Sequence, residues 1–174
     1  MYRKLTLLVS IGTLCTCAAL PARAGAFRGG FIGRNATGGV TGGRVSGARG
    51  PNGGAYVHGR TTSTDGAGDA SRSRGSAWHG PNGASGERSA TNMRNADGSA
   101  SHQSQIAASN GRGGSVQSSG STTRGADGSV NGERSTTATG ANGGTYNGET
   151  SWTKGQGVTH TGTCTNSAGV SKAC

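Results

Sequence analysis

The chain is 174 residues long, carries 36 glycines, a net charge of +10 and 29% hydrophobic residues. Past residue 24 there is no leucine, and Val, Ile, Met, Phe, Trp and Tyr together fill only 16 of 150 positions, far below the apolar content from which a domain of this length builds a core. That scarcity counts against a closed, dry active site, so the expectation is a non-enzymatic protein with no cofactor, no metal and no small-molecule substrate.

At the N-terminus Arg3 and Lys4 precede a mostly apolar run, Leu5 to Leu20, and Pro21-Ala22-Arg23-Ala24 offers small residues two apart. This is the pattern of a secretory signal over 1–24. The apolar run of about 16 residues falls short of the roughly 20 that span a bilayer. The expectation is an exported protein of the periplasm, cell surface or extracellular space, with no transmembrane segment in the mature chain.

Gly25 to Arg49 contains no acidic residue and is read as a flexible Gly/Arg-rich leader. Without Arg3, Lys4 and Arg23, fourteen basic residues face seven acidic ones, a net +7, and twelve of the fourteen are arginine. Arg28, Arg34, Arg44 and Arg49 are candidate contacts to phosphates or sulfates. Phe27-Arg28-Gly29-Gly30-Phe31 resembles the Arg-Gly-Gly boxes of RNA-binding proteins, which implies a nucleic acid partner. Extracellular DNA, a polysaccharide or an anionic envelope surface would meet the same charges.

Residues 50–154 repeat. The turn-like segments Gly50-Pro51-Asn52-Gly53, Gly80-Pro81-Asn82-Gly83, Gly125-Ala126-Asp127-Gly128 and Gly140-Ala141-Asn142-Gly143 set their last glycines apart by multiples of 15, and that period also lands on Gly68, Gly98 and Gly113. Seven 15-residue units follow, each a turn closed by a glycine that tolerates left-handed geometry and a run of ten or eleven residues rich in Thr and Ser. In one such run Tyr146, Gly148, Thr150 and Trp152 alternate with Asn147, Glu149, Ser151 and Thr153, as on a strand. The expected fold is an all-β repeat, antiparallel meander or β-solenoid, with no helix beyond the signal. Yet Tyr56, Ser71, Gly86, Ser101, Val116, Asn131 and Tyr146 occupy equivalent positions without forming an apolar column. With so little to bury, a largely disordered monomer competes with that fold.

The tail, 155–174, holds Cys164 and Cys174, which most simply pair in an oxidising compartment. Thr163-Cys164-Thr165 and the residues after it are similar to one coil of the insect β-helical antifreeze proteins, which implies an ice-binding solenoid, but Trp78 and Met93 stand where that likeness would need flat threonine pairs. The Gly- and Asn-rich repeats are similar in kind to curli-type amyloids, without their Gln/Asn spacing. Ser151-Trp152-Thr153-Lys154 has the S-x-x-K spacing of penicillin-interacting serine enzymes, yet it lies in a strand-like run, and the four histidines share no repeat column.

The sequence therefore points to an exported structural or adhesive repeat protein of the bacterial surface or matrix that self-associates through strand edges, with Tyr56, Trp78, Tyr146 and Trp152 as candidate aromatic anchors. The alternative is a cationic binder of anionic extracellular polymers.

Overall fold

The computed structural model describes residues 24–174. The signal expected over 1–24 lies outside the described residues except for Ala24. Every described element is a strand: β1 (Gly25–Arg34), β2 (Val40–Arg49), β3 (Ala55–Thr64), β4 (Ala70–His79), β5 (Ser85–Arg94), β6 (Ala100–Ser109), β7 (Ser115–Arg124), β8 (Val130–Thr139), β9 (Thr145–Thr153), β10 (Gly157–Thr165) and β11 (Ser171–Ala173). They pair antiparallel in chain order within one sheet, which is not closed into a barrel. The 15-residue unit is thus a ten-residue strand and a five-residue hairpin loop, and the fold is the meander rather than the solenoid. Gly25–Arg49, expected as a flexible leader, forms two strands paired over all ten residues of β1.

The loops explain the glycine period. Gly50 N–H donates to the Gly54 carbonyl at 2.8 Å, and Gly53 N–H donates to the Gly50 carbonyl at 3.2 Å, closing a turn that ends in Gly53 with φ +81°. That left-handed position costs a glycine nothing and follows a tight turn in many hairpins. Gly68, Gly83, Gly98, Gly113, Gly128 and Gly143 share the positive φ. A second device caps several loops whose first residue is Asn or Asp. Asp65 Oδ1 accepts the Ala67 and Asp69 N–H groups at 2.8 and 3.0 Å, and Asn110 and Asn166 do the same for their own loops. Because direction reverses with each strand, successive loops fall at opposite ends of the sheet. All four aspartates, Asp65, Asp69, Asp97 and Asp127, lie in loops at one end.

No second layer covers the sheet among the described residues. Only Ala90 is a buried apolar residue, and Ser76 and Ser118 are the buried polar ones. Cohesion comes from the backbone ladders, from hydroxyl pairs such as Thr41–Ser63 at 2.7 Å and Ser118–Thr136 at 2.8 Å, and from aromatic rings laid on glycines. Phe27 faces Gly47, Phe31 faces Gly43, Trp78 faces Gly86 and Trp152 faces Gly132 across strand pairs. A Cβ on Gly86 would stand 2.1 Å from the Trp78 ring, and one on Gly132 equally close to the Trp152 ring. At these four positions a strand glycine is therefore the seat of an aromatic ring, which covers backbone that a strand glycine otherwise leaves bare.

Candidate functional site: a one-sided arginine face

Partners in every strand pair have numbers of the same parity, from Phe27–Gly47 in the first pair to Cys164–Lys172 in the last. Since successive side chains point to opposite faces, all even-numbered strand residues share one face and all odd-numbered ones the other. Charge is sorted accordingly. Arg28, Arg34, Arg44, Arg60, Arg72, Arg74, Arg88, Arg94, Arg124 and Arg134 lie on the even face with Lys172, His58, His102 and His160. The strand carboxylates Glu87, Glu133 and Glu149 all lie on the odd face, among Ser, Thr, Asn and Gln.

The even face is organised in rows that run across the strands. One row reads Ala26, Ala48, Tyr56, Trp78, Gly86, Ala108, Val116, Ala138, Tyr146 and Cys164, an apolar and aromatic line crossing the sheet at the end away from the aspartate loops. Beside it runs Arg28, Ser46, His58, Ser76, Arg88, Ile106 and Ser118, and next to that Arg44, Arg60, Arg74, Ala90, Ser104, Gly120 and Arg134. Arg44, Arg60 and Arg74 are directly opposed on β2, β3 and β4, at neighbour spacings of about 4.8 Å. Like charges so placed repel and destabilise the bare sheet. Their guanidiniums find no carboxylate on their own face.

At the centre, His58, Arg74, Ser76, Arg88, Ala90, Ser104, Ile106, Ser118 and Arg134 line a depression of about 300 Å³ that crosses β3 to β8. Arg88 Nε donates to Ser76 Oγ at 3.1 Å and Arg134 donates to Ser118 Oγ at 3.0 Å. The Ser118 hydroxyl in turn donates to the Ser135 carbonyl at 3.0 Å. Buried serines thus fix the orientation of these two arginines while leaving most guanidinium N–H groups for a ligand. Towards β10, His160 Nδ1 lies 2.8 Å from Thr150 Oγ1 and its Nε2 lies 3.3 Å from the Tyr146 hydroxyl.

Of the arginines expected to contact polymer, Arg28, Arg34 and Arg44 lie on the even face, whereas Arg49 lies on the odd face at the end of β2. Tyr56, Trp78 and Tyr146 come together in the apolar row, and Trp152 sits on the same face nearer the aspartate end. Cys164 and Cys174 form a disulfide, with Cα atoms 5.9 Å apart, that fastens the end of β11 to β10. Ser151 is on the odd face of β9, while Lys154 lies in the following loop, its Nζ 3.4 Å from the Gly128 carbonyl. The S-x-x-K pair is not assembled. Among the described residues no three His, Cys, Asp or Glu side chains converge as a metal site. Sequence reading missed Arg60, Arg72, Arg74, Arg88, Arg94, Arg124 and Arg134 as one surface. Their even numbering was the signal.

No protein-family model and no curated protein matches the chain. Among solved structures, a KdgM porin in complex with disordered oligogalacturonate is similar over 80% of this chain and 82% of its own, at 11% identity and a TM-score of 0.23. A likeness at that level carries no argument.

Proposed function

We propose that this is a non-enzymatic, exported adhesive repeat protein of the cell surface or extracellular matrix that holds anionic polymer against its arginine face. The observation that carries this reading is the sorting of charge: ten of the twelve arginines in 25–174 share a face that bears no carboxylate. An open single sheet offers a long track, about 48 Å across eleven strands at roughly 4.8 Å each. A polymer lying across the strands meets the opposed Arg44, Arg60 and Arg74, whose mutual repulsion it relieves, and the aromatic row beside them gives sugars or bases a stacking surface. Guanidinium forks suit carboxylate, sulfate and phosphate alike. Assembly through strand edges is the second reading, favoured by the backbone that β1 leaves unpaired among the described residues.

The test is titration of the purified protein with duplex DNA and, separately, with a sulfated polysaccharide over a series of salt concentrations. Binding should weaken steeply with salt for the polymer that fits, and a neutral polysaccharide should not bind. The variant carrying Arg44→Gln, Arg60→Gln and Arg74→Gln should lower the salt slope for duplex DNA by about 2 to 3, in line with roughly 0.9 counterion released per neutralised phosphate. Wild-type affinity in that variant, or equal binding of the neutral polymer, overturns the reading.

A further inference from the structure

The two edges of the sheet are unlike. At one, the three-residue β11 carries Lys172 and is fastened by the Cys164–Cys174 disulfide, so the outermost strand is short, charged and pinned. Such features discourage edge pairing. At the other, β1 is ten residues long, exposed at every position, and in unbroken register with β2, without bulge, proline or carboxylate. Phe27, Phe31 and Ile32 are 56, 61 and 82% exposed on it.

The sequence of β1 is partly symmetric about Gly29, with glycines and phenylalanines in mirrored positions. Gly25 mirrors Gly33, Ala26 mirrors Ile32, Phe27 mirrors Phe31 and Arg28 mirrors Gly30. Two antiparallel copies of the strand oppose residues mirrored about a common centre, which is the geometry of a twofold, self-complementary interface. We propose that two copies of this chain pair through their β1 edges, antiparallel and centred on Gly29, so that the two sheets become one.

Neighbouring registers serve less well. Antiparallel partners must direct side chains to the same face, so the register moves only in steps that keep even residues opposite even residues. Centring on Arg28 opposes Arg28 to its own copy, and centring on Gly30 sets both phenylalanines against glycines, seats they do not need because their rings already lie over Gly47 and Gly43 of β2. Centring on Phe31 opposes Arg28 to Arg34. Only the Gly29 centre, among these, gives two Phe27–Phe31 pairs on the odd face and two Ala26–Ile32 pairs on the even face, with Arg28 opposite glycine. It also keeps the two arginine faces on one side, doubling the length of the polymer track. The pairing does not depend on polymer binding.

Cysteine cross-linking tests this. Gly29→Cys places the new side chain opposite its own copy, at a Cα separation within disulfide reach, and an added Cβ there meets nothing nearer than Val45 at 3.8 Å. Gly33→Cys, where a Cβ meets nothing within 4 Å, stands opposite Gly25 instead. Under mild oxidation Gly29→Cys should run as a covalent dimer on a non-reducing gel and Gly33→Cys as a monomer. Sedimentation equilibrium of wild type should give a dimer. The variant with Phe27→Glu and Phe31→Glu should be monomeric, and the one with Phe27→Lys and Phe31→Glu, which opposes unlike charges, should dimerise again. A monomeric wild type, equal cross-linking of the two cysteine variants, or no difference between the two charge variants overturns the proposal, whether or not the protein binds polymer.

Discussion

The even and odd faces of the sheet share one backbone, yet they present different chemistry to solvent, and most of the strand Ser and Thr residues lie on the odd face. On the odd face Glu87, Glu133 and Glu149 stand apart among Ser, Thr, Asn and Gln, and the phenylalanines keep to β1. On the even face arginines lie directly beside arginines, and tyrosine and tryptophan line up across strands. With no core to protect on either side, neither pattern is explained by burial. A polar face whose few charges stand apart costs little in water, whereas one that opposes Arg44, Arg60 and Arg74 sacrifices stability, and this cost is what supports the proposed anionic partner.

The contrast can be broken most strongly by charge. In low salt the Arg44→Gln, Arg60→Gln, Arg74→Gln variant should bind duplex DNA or sulfated polymer at least about a hundredfold more weakly, each lost charge-assisted hydrogen bond contributing roughly 1 kcal/mol or more. The variant with Glu87→Gln, Glu133→Gln and Glu149→Gln should bind as well as wild type or better, as read in the same titration. A comparable loss from both variants would mean that the faces do not differ in function. Next in size is packing. Gly86→Val removes the seat of the Trp78 ring and should destabilise the sheet by about 1 to 3 kcal/mol in denaturant unfolding, with a change in Trp78 fluorescence. Gln117→Val, on the odd face of β7, should stay within about 0.5 kcal/mol.

Ser118→Ala sharpens the comparison more finely. It leaves Arg134 without its hydroxyl acceptor and should cost about 1 kcal/mol of stability together with a modest loss of polymer affinity. The smallest effect concerns the aspartate end. Asp97 and Asp127 are held below the usual aspartate range, first by the side-chain hydrogen bonds of Ser99 and Ser129 and then by their backbone N–H groups. A carboxyl group depressed on folding adds stability above its unfolded value and loses it as pH falls through the folded one. Stability should therefore drop slightly on acidification below the normal aspartate range. Asp127→Asn should reduce that slope, measured by thermal melts across pH.

Much of the fold was legible in the sequence, and the reason lies in the loops. Gly53, Gly83, Gly128 and Gly143 report positive φ directly, so the hairpin spacing and the strand lengths followed. The side-chain pattern was obscured by the same period. Fifteen is odd, so Tyr56, Gly86, Val116 and Tyr146 lie on the even face, while Ser71, Ser101 and Asn131, the units between them, lie on the odd face. Read as one column they look random. Read thirty apart they separate into an apolar line and a polar one. The strands over 25–49 escaped notice because their loop, Asn35 to Gly39, lacks the Pro-Asn-Gly signature, although Gly38 has φ +84° as its counterparts do. What the sequence did not announce was the use of glycine beneath Trp78 and Trp152, since a ring and its seat are neighbours only once the register is known.

The alternation of hairpin ends also governs how such a chain can lengthen over generations. A tandem duplication of thirty residues adds one complete hairpin and returns the chain to the same end and the same face. Copying fifteen would turn over everything downstream, sending Glu133 and Glu149 to the arginine side and Arg134 away from it. Genetic growth in this family of shapes should therefore proceed two strands at a time, and a gene of altered length should differ from this one by whole hairpins.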